Sequence, residues 1–571
     1  MKKFTFGTPE NFVPTKFCKK LNYKETEIKY QADKIKFNVN LRGCVLEFPI
    51  KEDEQIYGLG LHLKGFNHKN TKLCLRVNSD PIANTGDSHA PVPFFVSTVG
   101  YGIYIDTARN IEVCCALSKK RFRDENVSNE VRIGTDELYK KKSINEESVV
   151  SVFIPSQGVD VYIFEGETIT DVVAKYNMFS GGGCDVPKWG LGVLYRCYGK
   201  SNSDDIRRIA KYFRENDIPC DILGFEPGWQ SGSYPCTYVW DEERFSDYKK
   251  LVKELKESGY HINLWEHAYV SPSSPIYEEL YDYSGDYEVF EGLVPDFSIE
   301  EVREIYSKYH KQIVDLGIDG FKLDECDGSD YTARDWCFPN CTVFPSGMDG
   351  ELYHNLFGVL YMQTILDAMG SIKTLSEVRS AGALSASYPF VLYSDLYNHK
   401  DFIRGVVNCG FSGILWTPEV RDSISKKDLL RRLQSVVFSP QCVLNGWFCE
   451  NFSWLDWDCE EETRQILKER QKLIPMLKEA YDKYRDFGIP PVRALVMDYS
   501  NDENVYHIDD EYMLGDSLLV APMTAEDDER KVYLPKGIWR DYWSDKVFKQ
   551  GWYDVSGDNI PVFIKLQADV H

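Results

Sequence analysis

A three-part architecture is predicted from this sequence: a central (β/α)8 TIM barrel, an N-terminal β-sandwich and a small C-terminal β-domain. Three observations predict it. The chain has 571 residues, too many for one hydrophobic core. Its apolar pattern changes period twice, near Trp189 and again near 486. Between those points strand-like runs alternate with helical ones, and eight such strands are counted. The expected domains are 1–180, 181–485 and 486–571.

The first domain reads as short β segments. IKFNVNL, CVLEFPI, GYGIYIDT, VVSVFIP and VDVYIF run apolar or alternate, with Gly, Pro, Asn and Asp between them. SGGGCDVPKWG (180–190) looks like a linker. GLGVLYR then precedes a helix near 203–216, with Ile206, Ile209, Tyr212 and Phe213 on one face. CDILGFE precedes a helix near 245–258, HINLWEH one near 299–316, and GFKLDE one near 354–369. KTLSEVR, FVLYSD, SGILWTPE and CVLNGWF complete the eight, with helical segments after the last three and none evident before FVLYSD. A doubly wound sheet is the competing fold, but YRCYGKSNS is not the Gly-rich phosphate turn such sheets carry after their first strand. VRALVMDY, SLLVAPM, KVYLP and WRDYW return to β character.

The formal charge of -23 disfavours nucleic acid and anionic lipid as partners and suits a neutral substrate. Aromatic content of 14% fits sugar stacking and core filling alike. The sixteen cysteines show no CxxC pair; Cys114 and Cys115 are adjacent, and Cys337 and Cys341 lack a second pair, so reduced thiols and no structural metal are expected. The N-terminus has no apolar signal core and no run reaches a membrane span, which points to a cytoplasmic location. The sequence leaves oligomeric state open, a homo-oligomer included.

In a TIM barrel the site lies at the C-terminal strand ends. Those ends read Glu226, Glu266 and His267, Asp324 and Glu325, Arg379, Asp395, Glu419 and Asn445. Carboxylates are costly to gather without chemistry or a cation to require them. Paired-carboxylate glycoside cleavage is one explanation. A divalent-metal lyase or aldolase is the other, kept open by Lys322 and His267.

DGFKLDE (319–325) resembles the nucleophile motif of glycoside hydrolase family 31, and RSAGALSASYPFVLYSD (379–395) resembles its acid/base segment. CGFSGILWTPE (409–419) is similar to the next strand of that family. IYGLG (56–60) and VPFFVSTVGYGIYIDT look like its N-terminal sandwich, MLGDSLLVAPM (513–523) like its C-terminal domain. The resemblance covers nearly the whole chain. It implies Asp324 as nucleophile and Asp395 as acid/base, with no cofactor. It implies substrate contacts from Glu226, Trp229, Trp265, His267, Lys322, Arg379, Trp416, Glu419 and Asn445, and from Asp80 of the sandwich loop RVNSD. Lys322, two residues before Asp324, is expected to hold that carboxylate ionised. Asp327 and Asp330 are rival carboxylates in the following loop, and Trp416 reads equally as core or sugar platform. The family pattern usually has an aspartate where Glu226 and Glu419 stand, and a histidine where Asn445 stands. These departures surround the cleaved sugar. α-Glucosidase is the first activity implied, with α-galactosidase, α-N-acetylgalactosaminidase, α-xylosidase and transglycosidase as alternatives. A non-catalytic sugar-binding relative is the remaining class, although both aspartates are present.

Overall fold

The computed structural model describes residues 1–78, 81–116, 148–328, 336–395 and 398–566. The chain opens with two facing sheets. One has five strands in the order Lys2–Gly7, Gly158–Glu165, Tyr101–Asp106, Pro91–Ser97, Ile56–Gly60. The other has six, in the order Lys36–Asn40, Gly43–Ile50, Ser148–Ile154, Ile111–Cys115, Lys72–Val77, Asp87–Ser88. Leu46, Phe48, Phe95, Ile103, Val150 and Val161 belong to one core cluster of the sandwich. The five-stranded sheet is covered on its other face as well: Phe94 stacks on Tyr176 of the helix Ile169–Phe179, ring centroids 4.1 Å apart. Double burial explains why PVPFFVS and YGIYID are buried at every position instead of alternating.

The barrel strands are β1 (Val193–Arg196), β2 (Ile222–Phe225), β3 (His261–His267), β4 (Gly320–Asp324), β5 (Ser376–Val378), β6 (Phe390–Leu392), β7 (Glu419–Val420) and β8 (Cys442–Asn445). They pair in parallel in the order β6-β5-β4-β3-β2-β1-β8-β7. The seventh strand is divided. The Leu392 N–H donates to Leu415 O at 2.8 Å and the Thr417 N–H to Leu392 O at 3.0 Å, which closes the ring against β6. Beyond Pro418, which has no N–H to donate, the chain leans over and pairs with β8.

The connecting helices are α1 (Ser203–Glu215), α2 (Tyr248–Glu257), α3 (Glu300–Val314), α4 (Gly350–Met369), α5 (His399–Cys409), α6 (Lys426–Val437) and α7 (Glu460–Phe487). Asn202 and Asp205 form a capping box that starts α1. α4 is apolar nearly all round because it lies between barrel and sandwich; Asn355 donates to Ala108 O at 2.9 Å. Residues 379–389, between β5 and β6, form turns and no helix. The sandwich side covers that gap: the Leu384 N–H donates to the Tyr176 hydroxyl at 3.1 Å, and Ser380 Oγ to His89 O at 2.8 Å. The C-terminal domain is a six-stranded sheet, Val492–Ala494, Tyr512–Leu514, Leu518–Val520, Val562–Leu566, Glu529–Asp541, Val547–Ser556. Arg431 of α6 donates to Gly557 O and Asp558 O, at 2.7 and 2.9 Å, and so fastens it to the barrel.

Candidate active site

Asp324 closes β4 at the C-terminal mouth of the barrel. Its Oδ2 accepts from the Trp265 indole N–H at 2.8 Å, and its Oδ1 from the Glu325 N–H at 2.9 Å. Arg379, the residue after β5, is the hub of the mouth. Its Nη1 donates to Asp395 Oδ2 at 2.6 Å and stands 3.9 Å from Asp324 Oδ1. Those two carboxylate oxygens are therefore separated by at most the sum of 2.6 and 3.9 Å, which is 6.5 Å. Arg379 Nε donates to Asp327 Oδ2 at 3.0 Å. His89 of the sandwich braces this arrangement, with Nδ1 3.1 Å from Arg379 O and 3.4 Å from Asp327 Oδ2. The Asp395 side chain is half exposed (50%), and Arg421 Nη1 lies 4.0 Å from its other oxygen. The Arg421 guanidinium in turn stacks on Phe448, 4.0 Å from the ring centroid.

Glu325 has a left-handed backbone (φ 53), which costs a non-glycine residue energy. The Tyr234 hydroxyl donates to its Oε1 at 3.2 Å. Burial first, then the adjacent Asp324, pushes the Glu325 carboxyl well above the usual carboxylate range. The folded-state value lies above the unfolded one, so the stability linked to this group is complete below the ordinary glutamate range and is lost as pH rises through the raised value. Glu325→Gln removes that loss. The melting temperature of the variant relative to the parent is expected to rise steadily from pH 5 to pH 9; a flat difference in calorimetric scans would count against a buried, protonated Glu325.

Beneath the mouth lies a charged floor. Arg196, fully buried, donates to Glu226 Oε1 at 3.1 Å, to Asn263 Oδ1 at 3.0 Å and to Glu377. The space for its guanidinium comes from Gly224, where a Cβ would stand 2.9 Å from Nη1. Lys322 Nζ lies 3.8 Å from Glu226 Oε2, 3.9 Å from Glu419 Oε1 and 4.5 Å from the Tyr393 ring centroid. Asn445 donates to Glu419 Oε2 at 2.6 Å. Burial raises the Glu419 carboxyl, and Lys322 opposes it. Glu419 Oε1 and the Tyr393 hydroxyl, which lies towards Asp324, are buried without a well-formed hydrogen bond. His267 is buried among Trp265, Tyr234, Tyr269 and Phe290; burial lowers it to about 3, so the ring is neutral. No group of three or more His, Cys, Asp or Glu converges as metal ligands among the described residues.

Three family models cover most of the chain. Residues 184–480 match the glycosyl hydrolases family 31 TIM-barrel domain. Residues 488–568 match the family 31 C-terminal domain, and 17–113 the N-terminal galactose mutarotase-like domain. The chain belongs to glycoside hydrolase family 31. It is 24% identical over 531 residues to α-xylosidase XylQ of Lactiplantibacillus pentosus (87% of this chain, 64% of that one). It is 28% identical over 448 residues to α-glucosidase 2 of Bacillus thermoamyloliquefaciens (71% of this chain, 56% of that one). The chain thus spans less than two thirds of either relative. Among solved structures, the Flavobacterium johnsoniae family 31 dextranase complexed with glucose superposes with a TM-score of 0.79 at 21% identity, covering 93% of this chain and 67% of the dextranase.

On this family 31 barrel, most residues singled out from the sequence meet at one mouth: Asp324, Asp395, Arg379, Glu226, Trp265, His267, Lys322, Glu419 and Asn445. Four expectations need correction or restriction. Lys322 does not pair with Asp324; its ammonium is drawn down to Glu226 and Glu419, while indole and backbone N–H groups hold Asp324. Trp229 is core, its indole N–H committed to Trp265 O at 2.7 Å. Trp416 is core as well, donating to Phe402 O at 3.3 Å. Asp80 and Asp330 lie outside the described residues. Glu266 turns away from the mouth, as alternation along β3 requires, and accepts from Tyr361 and Tyr306 beside His310. Sequence reasoning missed Arg196, Glu377, Tyr234, Tyr393 and Arg421. The available signal for the first two was a charged residue at the end of the apolar run VLYR and one within the short strand SEV. Tyr234 sits in a loop with no periodic signal.

Proposed function

We propose that this chain is an exo-acting, retaining α-glycosidase in which Asp324 is the nucleophile and Asp395 the acid/base. The observation that carries the proposal is the single Arg379 nitrogen shared by the two carboxylates, with its 6.5 Å ceiling on their separation. Retaining enzymes place the pair about 5–5.5 Å apart, whereas inverting ones need roughly 6.5–9.5 Å to admit a water. In the first step an Asp324 oxygen bonds to the anomeric carbon, the bond to the leaving oxygen breaks, and Asp395 gives that oxygen its proton. In the second, Asp395 takes a proton from water, whose oxygen displaces Asp324. A sugar hydroxyl in place of water makes the reaction a transglycosylation. The indole and backbone N–H donors engage one oxygen each and so fix the orientation of the Asp324 carboxylate for attack. Incompletely bonded buried atoms at the site, Glu419 Oε1 and Tyr393 Oη among them, suit a hydroxyl-rich ligand. The sandwich braced against the mouth through His89 supports cleavage at a chain end.

α-Glucoside is the first substrate proposed. α-Xyloside is the second reading, favoured by the similarity to α-xylosidases. Glu226, Glu419 and Asn445, which differ from the usual family residues, keep α-galactoside and α-N-acetylgalactosaminide in the comparison. The proposal takes 1–180, 181–485 and 486–571 as sandwich, catalytic barrel and C-terminal domain. Sixteen unpaired cysteines support a reducing, cytoplasmic setting, and no described helix is long and apolar enough to cross a membrane. The test is a panel of nitrophenyl α-glucoside, α-xyloside, α-galactoside and α-N-acetylgalactosaminide, with proton NMR of the first-formed sugar. One α-glycoside should be cleaved at least tenfold faster than the rest, and its product should appear as the α anomer. A β anomer appearing first would exclude retention; no turnover of any member would remove the activity.

A further inference from the structure

We propose that Tyr234 and Trp336 form an aromatic shelf that holds sugar units beyond the one cleaved, so that the natural substrate is an oligosaccharide of three or more units. This rests on the reading of Asp324 as the residue that meets the reacting sugar. Isolated exposed aromatics are ordinary on a protein surface. Here they form a file leading outward from the reacting carboxylate. Trp265, which holds Asp324, is 5.4 Å from the Tyr234 ring; Tyr234 is 5.0 Å from Phe290, and Phe290 is 5.9 Å from Trp336. Trp265, at the inner end, is buried (1% exposed), whereas Tyr234 and Trp336 are open to solvent (49% and 43%), with the half-buried Phe290 between them.

Two features show that the file is held in place before a ligand arrives. The Tyr234 hydroxyl is tied to Glu325, and its loop is pinned by Ser233 Oγ donating to Pro227 O at 2.7 Å and the Cys236 N–H donating to Tyr269 O at 3.0 Å. Phe290 and Glu291 both have left-handed backbones (φ 54 and 61) in a two-residue turn closed by Val289 and Gly292 at 3.0 and 2.9 Å. Such a turn favours Asn and Gly, so placing Phe and Glu there costs energy. The return is a fixed ring between the two exposed ones. Sugar rings stack on flat faces that need no ordering on binding, and a shelf already fixed binds them better than a mobile one. Glu325 at the inner edge, which accepts from the Tyr234 hydroxyl, adds a polar group within reach of a sugar hydroxyl. A neutral oligosaccharide matches this lining of rings.

The test uses the full chain and Trp336→Ala, with maltotriose, isomaltotriose and raffinose as trisaccharide probes and the methyl α-glycosides of their terminal sugars as controls. Trp336 is part-exposed, so tryptophan emission reports occupancy of the shelf without any turnover. At least one trisaccharide should shift the emission of the parent at concentrations where its methyl glycoside does not, and Trp336→Ala should abolish the shift. For that trisaccharide, kcat/KM divided by kcat/KM for the nitrophenyl glycoside of the same sugar should fall at least tenfold in Trp336→Ala, chiefly through KM. No shift with any probe, a shift that survives in Trp336→Ala, or an unchanged ratio overturns the shelf. Failure of the glycosidase reading registers separately, as absence of nitrophenyl glycoside turnover in the parent while the emission experiment still decides the shelf.

Discussion

Asp324→Ala should lower turnover of every α-glycoside by a factor on the order of 10⁴ or more, ~5.4 kcal/mol of transition-state stabilisation. The size follows from the role: no second group can form the glycosyl ester, so the two-step route is lost entirely. Of the neighbouring carboxylates, Asp327 is bound by Arg379 Nε and Glu325 is the partner of Tyr234, so neither is oriented as Asp324 is by Trp265 and the Glu325 N–H. Azide added to Asp324→Ala should restore cleavage of an activated α-glycoside and give the β-glycosyl azide, because azide attacks from the face that Asp324 vacates. Unchanged melting temperature would show that the loss is chemical. Retention of more than a hundredth of the parent activity would move the nucleophile to another residue.

The fold was legible because its signals are local and repeated. The apolar faces of α1, α2 and α3 follow the helical period, and Ile206, Phe213, Leu251, Leu255, Val302 and Tyr306 are buried as their spacing requires. The missing helix before β6 was legible too, as an absence of period in residues 379–389. What the sequence hid was direction. Lys322 and Asp324 share a strand face, yet a lysine side chain is long enough to reach Glu226 and Glu419 below, and its desolvated charge settles between two buried carboxylates. Trp229 and Trp416 stand where sugar platforms stand, but a buried indole must satisfy its N–H, and both found backbone carbonyls in the core. Contacts between separate loops, such as Tyr234 with Glu325 and Arg421 with Asp395, have no periodicity to betray them.

Asp395→Ala should behave differently from the loss of the nucleophile. Cleavage of substrates with poor leaving groups should fall roughly 10²–10⁴-fold, since the departing oxygen then leaves without its proton. A dinitrophenyl or fluoride leaving group needs no such help, so formation of the glycosyl ester should proceed nearly as in the parent. Its hydrolysis lacks a base and becomes limiting, giving a burst of released phenolate followed by a slow steady rate. Azide needs no base and should accelerate that slow phase, forming the α-glycosyl azide because Asp324 still shields the opposite face. The parent pair must also loosen during the reaction: Asp395 accepts a hydrogen bond from Arg379 at 2.6 Å, whereas the acid step requires it protonated. Half exposure leaves its side chain room to do so. The rival acid is Glu325, one residue from Asp324; burial and Asp324 push its carboxyl well above the usual carboxylate range. If Asp395→Ala lost activated and unactivated substrates equally, while Glu325→Gln showed the leaving-group dependence, the proton donor would be Glu325 and Asp395 would serve only to position Arg379.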